Sequence, residues 1–314
     1  MPRPLEVLVS GFVDHLHDRH LAPLTVLRYG GELRRLVRFL GRECPAALDA
    51  PGAIDKALLI LHLRNGQVLP RPQAPSTWNL RLTALRWFFG YALRERALTA
   101  DPSIDITYAR VPDRTPSYLT RPEYMRLLRA IETHASDHYR ARDLAICITL
   151  WNTGMRVGEL VSLDREQVDF AAERFCAVRL KGGKVDDIHA NVEVVVAIRR
   201  WLLVRPDYRH ASAEPALFLS ERGRQISIRA VEDLFAKYAA LARLGKRVTP
   251  HAMRHSAATE LVRLGVPMPV VADALRHRKT DTTRRYIHVA GVEVHAAVAL
   301  LGSLPASRRR RVAR

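Results

Sequence analysis

The feature that most constrains the fold is an aperiodic, proline-containing stretch about one third of the way along the chain. Residues 101–118 read DPSIDITYARVPDRTPSY and hold three prolines with little hydrophobic periodicity. Such composition is typical of a linker, because proline restricts the backbone and interrupts helices. A chain of 314 residues is expected to form one to three domains, and this break favours two. The predicted limits are 1–105 for the first domain, 106–118 for the linker and 119–302 for the second domain.

The first domain is predicted to be a small, basic bundle made of helices. Helical periodicity covers 24–40 and 53–64, and the LPRPQAP segment that follows indicates a loop. A long helix is then predicted from an N-cap at Ser76 and Thr77 to about Leu93. Its predicted core-facing residues are Leu82, Leu85, Phe89 and Ala92. The arginines left for solvent or phosphate are Arg81, Arg86 and Arg94.

The second domain is predicted to be mainly helical with a small sheet. Thr120 suits the N-cap of a helix through Ile131, and residues 144–151 are apolar on both sides, as in a buried helix. Residues 174–190 change character, because RFCAVRL and VDDIHA flank KGGK, which predicts two short strands around a Gly-Gly turn. Later residues return to helical patterns. The predicted fold class is therefore mainly α with a small antiparallel β-sheet.

Charge and composition narrow the class of partner. Lys+Arg outnumber Asp+Glu by 50 to 32, and a net charge of +18 favours a polyanion, with nucleic acid first. No apolar run approaches the roughly 18 residues of a membrane span. No signal peptide is recognised either, so a cytoplasmic, nucleoid-associated location is expected. Cys44, Cys147 and Cys176 lack metal-type spacing and predict reduced thiols, and no cofactor is predicted.

One candidate anion site lies at a predicted helix start, TPHAMR, in residues 249–254. His251 and Arg254 are three residues apart and share one face of the first turns, where free N–H groups favour a phosphate. An ordinary capped helix is the alternative. His251 and His255 also have the spacing of a zinc-binding helix, but HExxH needs a Glu where this chain has Ala252.

A second candidate lies in TGMRVGEL. Gly154 is predicted to end a helix in a left-handed turn, and Arg156 and Glu159 are placed to pair. Either this is a weak surface ion pair, or Glu159 orients Arg156 toward a phosphate. Lysines are scarce, six against 44 arginines, yet Lys181 and Lys184 flank the Gly-Gly turn. Lys can release a proton and Arg cannot, although chance explains the pair equally well.

A third segment places His277 nine residues before Tyr286. Leu275 and Ile287 are spaced to anchor the two elements in a core. A tyrosine in a helix is most often a packing residue, and the chain has nine of them. Only its neighbours single out Tyr286.

Together these segments resemble the tyrosine recombinase (phage integrase, Xer-type) family. TGMRVGEL is similar to the family's segment around its first arginine, TPHAMRHSAAT to its HxxR box, and LRHRKTDTTRRYIHV to its LGH…TT…Y.H segment. The helix 76–98 with the following DPS resembles the end of a core-binding domain, and LTRPEYMRLL the start of a catalytic domain. The resemblance covers roughly residues 10–300. It implies a SAM-like helical bundle and a mixed α/β catalytic domain that form a C-shaped clamp on DNA.

The resemblance also implies a mechanism that needs neither metal nor ATP. A tyrosine attacks the scissile phosphate, forms a 3′-phosphotyrosyl link and releases a 5′-hydroxyl. The implied roles are nucleophile for Tyr286, binding of non-bridging oxygens for Arg156 and Arg254, a further donor for His277, proton transfer or positioning for His251, and protonation of the departing 5′-oxygen for Lys181. These cations supply the positioning and charge stabilisation that phosphoryl transfer requires.

Three departures from the family pattern bear on this site. Arg276 stands where the family commonly has Gly, which either alters the backbone or adds a phosphate contact. Residues 185–189, VDDIH, place two acids in a hairpin expected to face DNA, so Lys184 stays a rival to Lys181. The arginine-rich tail 303–314 is predicted to be disordered, as a phosphate-binding arm or simply as solvated charge.

Assembly and reaction type are expected from the resemblance alone. Residues 292–301 form a predicted amphipathic helix, which the family packs onto a neighbouring protomer; folding back onto its own domain is the alternative. The implied partners are duplex DNA with a short core site, a homotetramer on two duplexes, and a second recombinase or accessory protein in some systems. Two other functions stay open, a DNA-binding relative without chemistry and a monomeric type IB topoisomerase.

Overall fold

The computed structural model describes residues 3–65, 73–112, 117–180 and 183–276. The chain divides into two compact units, Met1–Arg114 and Thr115–Arg314. The predicted class, mainly α with a small antiparallel sheet, is confirmed. The predicted limits of the linker stay a prediction, and the tail 303–314 lies outside the described residues.

Every regular element in the described part of the first unit is a helix. Its helices are α1 (Leu5–Asp18), α2 (Pro23–Glu43), α3 (Ala46–Asp49), α4 (Lys56–Asn65) and α5 (Pro75–Arg94), with a 3-10 turn at Pro51–Ala53. The core face predicted for α5 is confirmed, because Leu82, Leu85, Phe89 and Ala92 are all buried. On α2 the buried residues include Leu33, Leu36 and Leu40. The ring of Phe12 on α1 meets that of Phe88 on α5 edge-on, with centroids 5.7 Å apart. Most of the predicted LPRPQAP loop lies outside the described residues.

Helix α5 begins at Pro75, so the predicted N-cap at Ser76 and Thr77 was wrong. The N-cap is Ala74, which has an extended backbone and makes no side-chain capping hydrogen bond. Proline suits the first helical position, since its fixed φ is already helical and its missing N–H has no partner there in any case. The residue before a proline is also driven to extended backbone. These two effects outweigh the preference for a hydroxyl cap.

Arg81 was predicted to be left for solvent or phosphate, and this was wrong. It lies at the centre of a buried polar cluster. It is 8% exposed, and its Nε donates to Glu32 Oε1 over 2.8 Å. The Nε2 atom of His62 lies 2.8 Å from the same carboxylate oxygen. Nη1 of Arg81 also donates to the carbonyl of Leu63 over 2.9 Å. A buried charge is tolerated when it is paired and hydrogen-bonded, which a helical pattern cannot reveal.

Replacing Glu32 by Gln is expected to destabilise the first unit by about 3–5 kcal/mol, because Arg81 would keep a buried charge without its counter-ion. Burial alone would raise the pKa of Glu32, but the hydrogen bonds and charges of His62 and Arg81 outweigh it and hold that pKa below its ordinary value. This contribution to stability is present above the ordinary carboxyl pKa and is lost as pH falls through the lowered one. Urea unfolding of the full chain at several pH values measures both effects.

The matched control is Glu95→Gln. Glu95 pairs with Arg3 over 3.1 Å, and both side chains are exposed. Surface pairs contribute little, so the change expected is within about 1 kcal/mol. Equal losses in the two variants would contradict the importance assigned to the buried cluster.

The first part of the aperiodic stretch is held on α5. Ile106 is buried in the same core. The side chain of Asn79 exchanges two hydrogen bonds with the backbone of Ala109, over 2.9 Å and 2.7 Å. Arg86 donates to the carbonyls of Ile104 and Ile106. Side-chain bonds from the helix therefore replace the regular backbone pairing that this segment lacks.

The second unit packs helices around a three-stranded antiparallel sheet in the order β1-β2-β3. Its elements are α6 (Arg121–His134), α7 (Asp137–Thr153), α8 (Val157–Val161), β1 (Val168–Asp169), β2 (Arg174–Arg179), β3 (Val185–His189), α9 (Val192–Val204), α10 (Ile228–Leu241), α11 (Pro250–Arg263) and α12 (Met268–Ala274), with 3-10 turns at Arg165–Gln167 and Arg205–Asp207. As predicted, Thr120 is the N-cap of α6, and Glu123 accepts from its backbone N–H over 2.7 Å and from its hydroxyl over 3.0 Å. None of the described helices is long and apolar enough to cross a membrane.

The hairpin β2–β3 was predicted, whereas the two-residue β1 was too short to leave a pattern. The pairing shifts between Phe175 and Val178, where Ala177 has φ of +51°. Asp187 accepts the N–H of Ala177 over 2.9 Å, and Gln167 donates to the Ala177 carbonyl over 2.9 Å. Asp187, one of the two unexpected acids, therefore has a structural role, because it satisfies the backbone of a β-bulge.

Candidate active site

Arg156 is set at the junction of α7 and α8. Helix α7 ends at Gly154 with φ of +57°, the predicted left-handed turn, and Arg156 is the N-cap of α8. Glu159 is 3% exposed and accepts both from the Arg156 backbone N–H and from Nη1, each over 2.8 Å. The Arg156 side chain stays about one-third exposed. A buried carboxylate thus fixes a guanidinium whose other donors remain accessible, which favours the orienting role over a weak surface pair.

Arg254 reaches the same place from α11. As predicted, Thr249 caps this helix through its side chain and Pro250 occupies the first turn. Arg254 is 3% exposed, and its Nη1 donates to the carbonyl of Gly154 over 2.6 Å. Its Nη2 donates to the carbonyl of Leu275. These bonds tie α11 to the turn that carries Arg156 and to the end of α12.

Close packing reinforces this junction. A Cβ at Gly154 would collide with the side chain of Leu275 and would lie 3.5 Å from the Cβ of Ala257. Leu275 is buried, as predicted, in a small cluster with Ala258, Val262 and Val271. Its predicted companion Ile287 lies outside the described residues. Glycine is therefore required here both for its positive φ and for its lack of a side chain.

His251 faces solvent at the start of α11, and its ring meets that of His255 edge-on with centroids 4.2 Å apart. Partial burial of the ring, together with the positive charges of Arg254 and Arg156, lowers the pKa of His251. The lowered pKa favours the neutral imidazole, which is able to accept a proton. His251 and Arg254 lie one turn apart on α11, and Arg156 contributes to the same lowering of the His251 pKa.

Replacing Arg156 by Ala is expected to raise the pKa of His251 toward its ordinary value, because one of the two repelling cations is removed. Proton NMR titration of the histidine rings in the DNA-free chain measures the change. Because the folded chain binds this proton less readily than the unfolded one, wild-type His251 costs stability as pH falls below its ordinary pKa, and the variant should lose less. An exposed arginine at the other end of α11 gives the control, Arg263→Ala, and an equal shift there would contradict the assignment.

Arg276 has the left-handed backbone that its Gly-like position suggests, with φ of +53°. This is a backbone conformation that glycine adopts without strain. Arg276 Nη2 lies 3.8 Å from Glu159 Oε2, beside the Arg156 pair. The arginine thus brings a further cation to Glu159.

The remaining predicted site residues cannot be placed. Lys181, His277 and Tyr286 lie outside the described residues, as does the helix predicted at 292–301. Lys184 is exposed at the base of the turn, where its carbonyl accepts from the Leu180 N–H over 2.7 Å. The choice between Lys181 and Lys184 stays open.

Sequence reasoning did not find the groups that hold Arg254. Backbone carbonyls at residues 154 and 275 leave no trace in side-chain chemistry, and they meet only because α11 and α12 pack against the end of α7. Within the described ranges, no group of three or more His, Cys, Asp or Glu side chains could hold a metal ion.

Comparison with known proteins identifies the family of the chain. The phage integrase family matches residues 117–292, and the phage integrase N-terminal SAM-like domain matches residues 9–96. The tyrosine recombinase XerC of Alcanivorax borkumensis is 31% identical over 304 residues, which are 96% of this chain and 95% of that relative. XerC of Salmonella typhi is 29% identical over 287 residues, 91% of this chain and 92% of the relative.

A solved structure shares the fold. The XerH site-specific recombinase, crystallised with its difH substrate in a pre-cleavage complex, superposes with a TM-score of 0.73. It is 17% identical, and the match covers 97% of each chain. A family match over more than half of the chain, with relatives aligned over nearly all of it, leads to one conclusion: the chain belongs to the phage integrase family and is an enzyme of the tyrosine recombinase class.

Proposed function

We propose that this enzyme is a site-specific DNA recombinase that cuts and rejoins strands through a 3′-phosphotyrosyl intermediate, with Tyr286 as the nucleophile. The observation that carries the proposal is the meeting of Arg156, Arg254 and His251 at one junction, although 98 residues separate the two arginines in sequence. Two guanidiniums and an imidazole supply the positive charge and the hydrogen-bond donors that bind an anionic phosphodiester. The net charge of +18 and the relatives crystallised with DNA support a DNA partner.

The geometry of the described residues supports the roles proposed for Arg156, Arg254 and His251, and those of His277 and Tyr286 come from the family resemblance. Arg156 is oriented by Glu159, and Arg254 by two backbone carbonyls, so both are pre-organised to bind the non-bridging oxygens of the scissile phosphate. Neutral His251 accepts or positions a proton. His277 adds a donor, and nearby cations favour the phenolate of Tyr286. The covalent link conserves the energy of the broken bond, so religation needs no ATP.

The general acid for the departing 5′-oxygen is proposed to be Lys181, with Lys184 as its rival in the same turn. A lysine can release the proton at accessible pH, whereas an arginine cannot. Separate Lys181→Ala and Lys184→Ala variants distinguish the two. A substrate whose 5′-bridging oxygen is replaced by sulfur has a leaving group that needs no acid, so it should rescue only the variant that lacks the acid.

The assembly is proposed to be a homotetramer on two duplexes that carry a short core site, acting in the cytoplasm at the nucleoid. A second recombinase or an accessory protein would fit the same assembly. Integration, excision, resolution and transposition all use the same strand chemistry, and that shared chemistry is what we propose for this enzyme.

The experiment that tests the proposal is covalent trapping. The protein is incubated, without added metal, with nicked duplexes cut from the DNA that flanks its own gene, and denaturing gels report any protein–DNA adduct. An adduct that disappears in the Tyr286→Phe variant supports the nucleophile and locates the cleaved phosphate. Tight binding of pooled duplexes without any adduct would contradict the enzymatic proposal and favour a DNA-binding protein.

A second assay separates the recombinase from a topoisomerase, since both would form the adduct. Exchange of strands between two labelled duplexes is expected. Relaxation of supercoiled DNA without any exchange would contradict the recombinase assignment.

A further inference from the structure

Arg276 is fixed beside the two proposed phosphate-binding arginines. The carbonyl of Leu275, the residue before it, accepts from Arg254, and Glu159, the partner of Arg156, lies 3.8 Å from Arg276 Nη2. A left-handed backbone costs a non-glycine residue about 1–2 kcal/mol. An arginine that bears this cost at such a place invites a functional explanation.

The Arg276 guanidinium has donors to spare. Nη1 donates to the carbonyl of Ala274 over 2.8 Å. Its Nε and Nη2 atoms are buried without any hydrogen-bond partner in the part of the chain that the structure describes, and the side chain is only 11% exposed. The distance of 3.8 Å to Glu159 is beyond hydrogen-bond range. Buried unpaired donors are rare, and a missing anion is one accepted cause.

The surrounding charges fit a site that awaits an anion. Burial and Arg156 lower the pKa of Arg276, while the carboxylates of Glu159 and Asp186 act in the opposite direction. Asp186 is the second unexpected acid of the β2–β3 hairpin, next to the Asp187 that serves the bulge. By distance, Glu159 lies close to both guanidiniums before any phosphate arrives, 2.8 Å from Arg156 and 3.8 Å from Arg276.

We propose that Arg276 is a third phosphate-binding arginine of this enzyme, whose Nε and Nη2 groups donate to two oxygens of the scissile phosphate. Nε and one Nη form the side-on fork that matches a pair of phosphate oxygens. The inference rests on the proposed function, because that function brings the phosphate to Arg156 and Arg254. It assigns a contact that a glycine at this position cannot make.

The test compares Arg276→Gly with the control Arg243→Gly. Arg243 follows α10, is exposed, and has φ of +51°, so the control makes the same chemical change in the same backbone conformation. Both variants are expected to keep or exceed the wild-type unfolding midpoint, since glycine relieves the strain. Adduct formation on the nicked duplex is expected to fall about 10- to 100-fold for Arg276→Gly, the range of a charged hydrogen-bonded contact, and to stay within about twofold for the control.

Neutralising the phosphate distinguishes a contact between Arg276 and the phosphate charge from a purely structural role of Arg276. The affinities of wild type and Arg276→Gly are measured for two duplexes. One is the natural duplex, and the other carries an uncharged methylphosphonate at the cleaved position. The affinity gap on the natural duplex is expected to close on the neutral one. A gap of the same size on both substrates overturns the proposal, and so does unchanged cleavage by Arg276→Gly.

The proposed function can fail separately from this inference. If wild type forms no adduct, the salt dependence of duplex binding still reports the contact. Removing one of three cations that share a phosphate reduces the slope of log K against log salt by less than the roughly 0.9 of a whole phosphate contact. A reduced slope for Arg276→Gly alone supports the phosphate contact without chemistry. An unchanged slope, or a wild-type chain that binds no duplex, overturns it.

Discussion

Arg254→Ala is expected to lower the rate of strand cleavage by about a thousandfold, which is the upper range for removal of one pre-organised charge-stabilising group. The variant should also lose about 2–4 kcal/mol of stability, because the buried Arg254 guanidinium holds the carbonyls of Gly154 and Leu275. Both losses come from one side chain, since the bonds that orient Arg254 also join α11 to α7 and α12. Adduct kinetics and urea unfolding of the full chain measure them.

Arg254→Lys distinguishes charge from geometry. Lysine keeps the positive charge but is a single point donor, so it cannot hold two carbonyls and still present a fork to a phosphate. We expect most of the cleavage rate to stay lost in this variant. Cleavage within tenfold of wild type in either variant would show that Arg254 does not stabilise the transition state.

Gly154→Ala is expected to destabilise the second unit by about 2–5 kcal/mol. The left-handed backbone costs alanine about 1–2 kcal/mol, and the collision with Leu275 adds an overpacking cost of about 1–3 kcal/mol. Displacement of this turn also moves the carbonyl that Arg254 binds and the start of α8 that carries Arg156. We therefore expect cleavage to fall more than tenfold, measured on the folded fraction of the protein.

The matched control is Gly245→Ala. Gly245 has φ of +65°, in the same region as Gly154, but a Cβ there meets nothing within 4 Å. The control therefore carries the backbone cost alone, about 1–2 kcal/mol, with wild-type cleavage. Equal destabilisation of the two variants would mean that the contact with Leu275 is unimportant.

Local chemistry was predictable wherever it depends on neighbours in sequence. The N-cap at Thr120, the start of α11 at Pro250 and the left-handed turn at Gly154 were all expected and found. The β2–β3 hairpin followed from alternation around two glycines. Each of these features depends on a few consecutive residues, so the local sequence is sufficient to predict it.

The wrong predictions concern residues whose environment is set by contacts with residues far away in sequence. Arg81 was assigned to solvent or phosphate, but Glu32 and His62, which are remote in sequence, bury it as an ion pair. The acids at 186 and 187 looked misplaced in a hairpin expected to face DNA. A bulge at Ala177, formed by pairing with the opposite strand, explains Asp187.

The family, the two helical regions and the residue types of the site could all be predicted from the sequence, because motifs and helical periods depend on residues that are close along the chain. The folded structure was needed to see that the carbonyls of Gly154 and Leu275 hold Arg254, and that Glu159 lies next to both Arg156 and Arg276. These contacts join residues that are far apart in sequence, so they depend on how the helices pack. The sequence motifs identify the cationic side chains, and the packing of the helices fixes their positions.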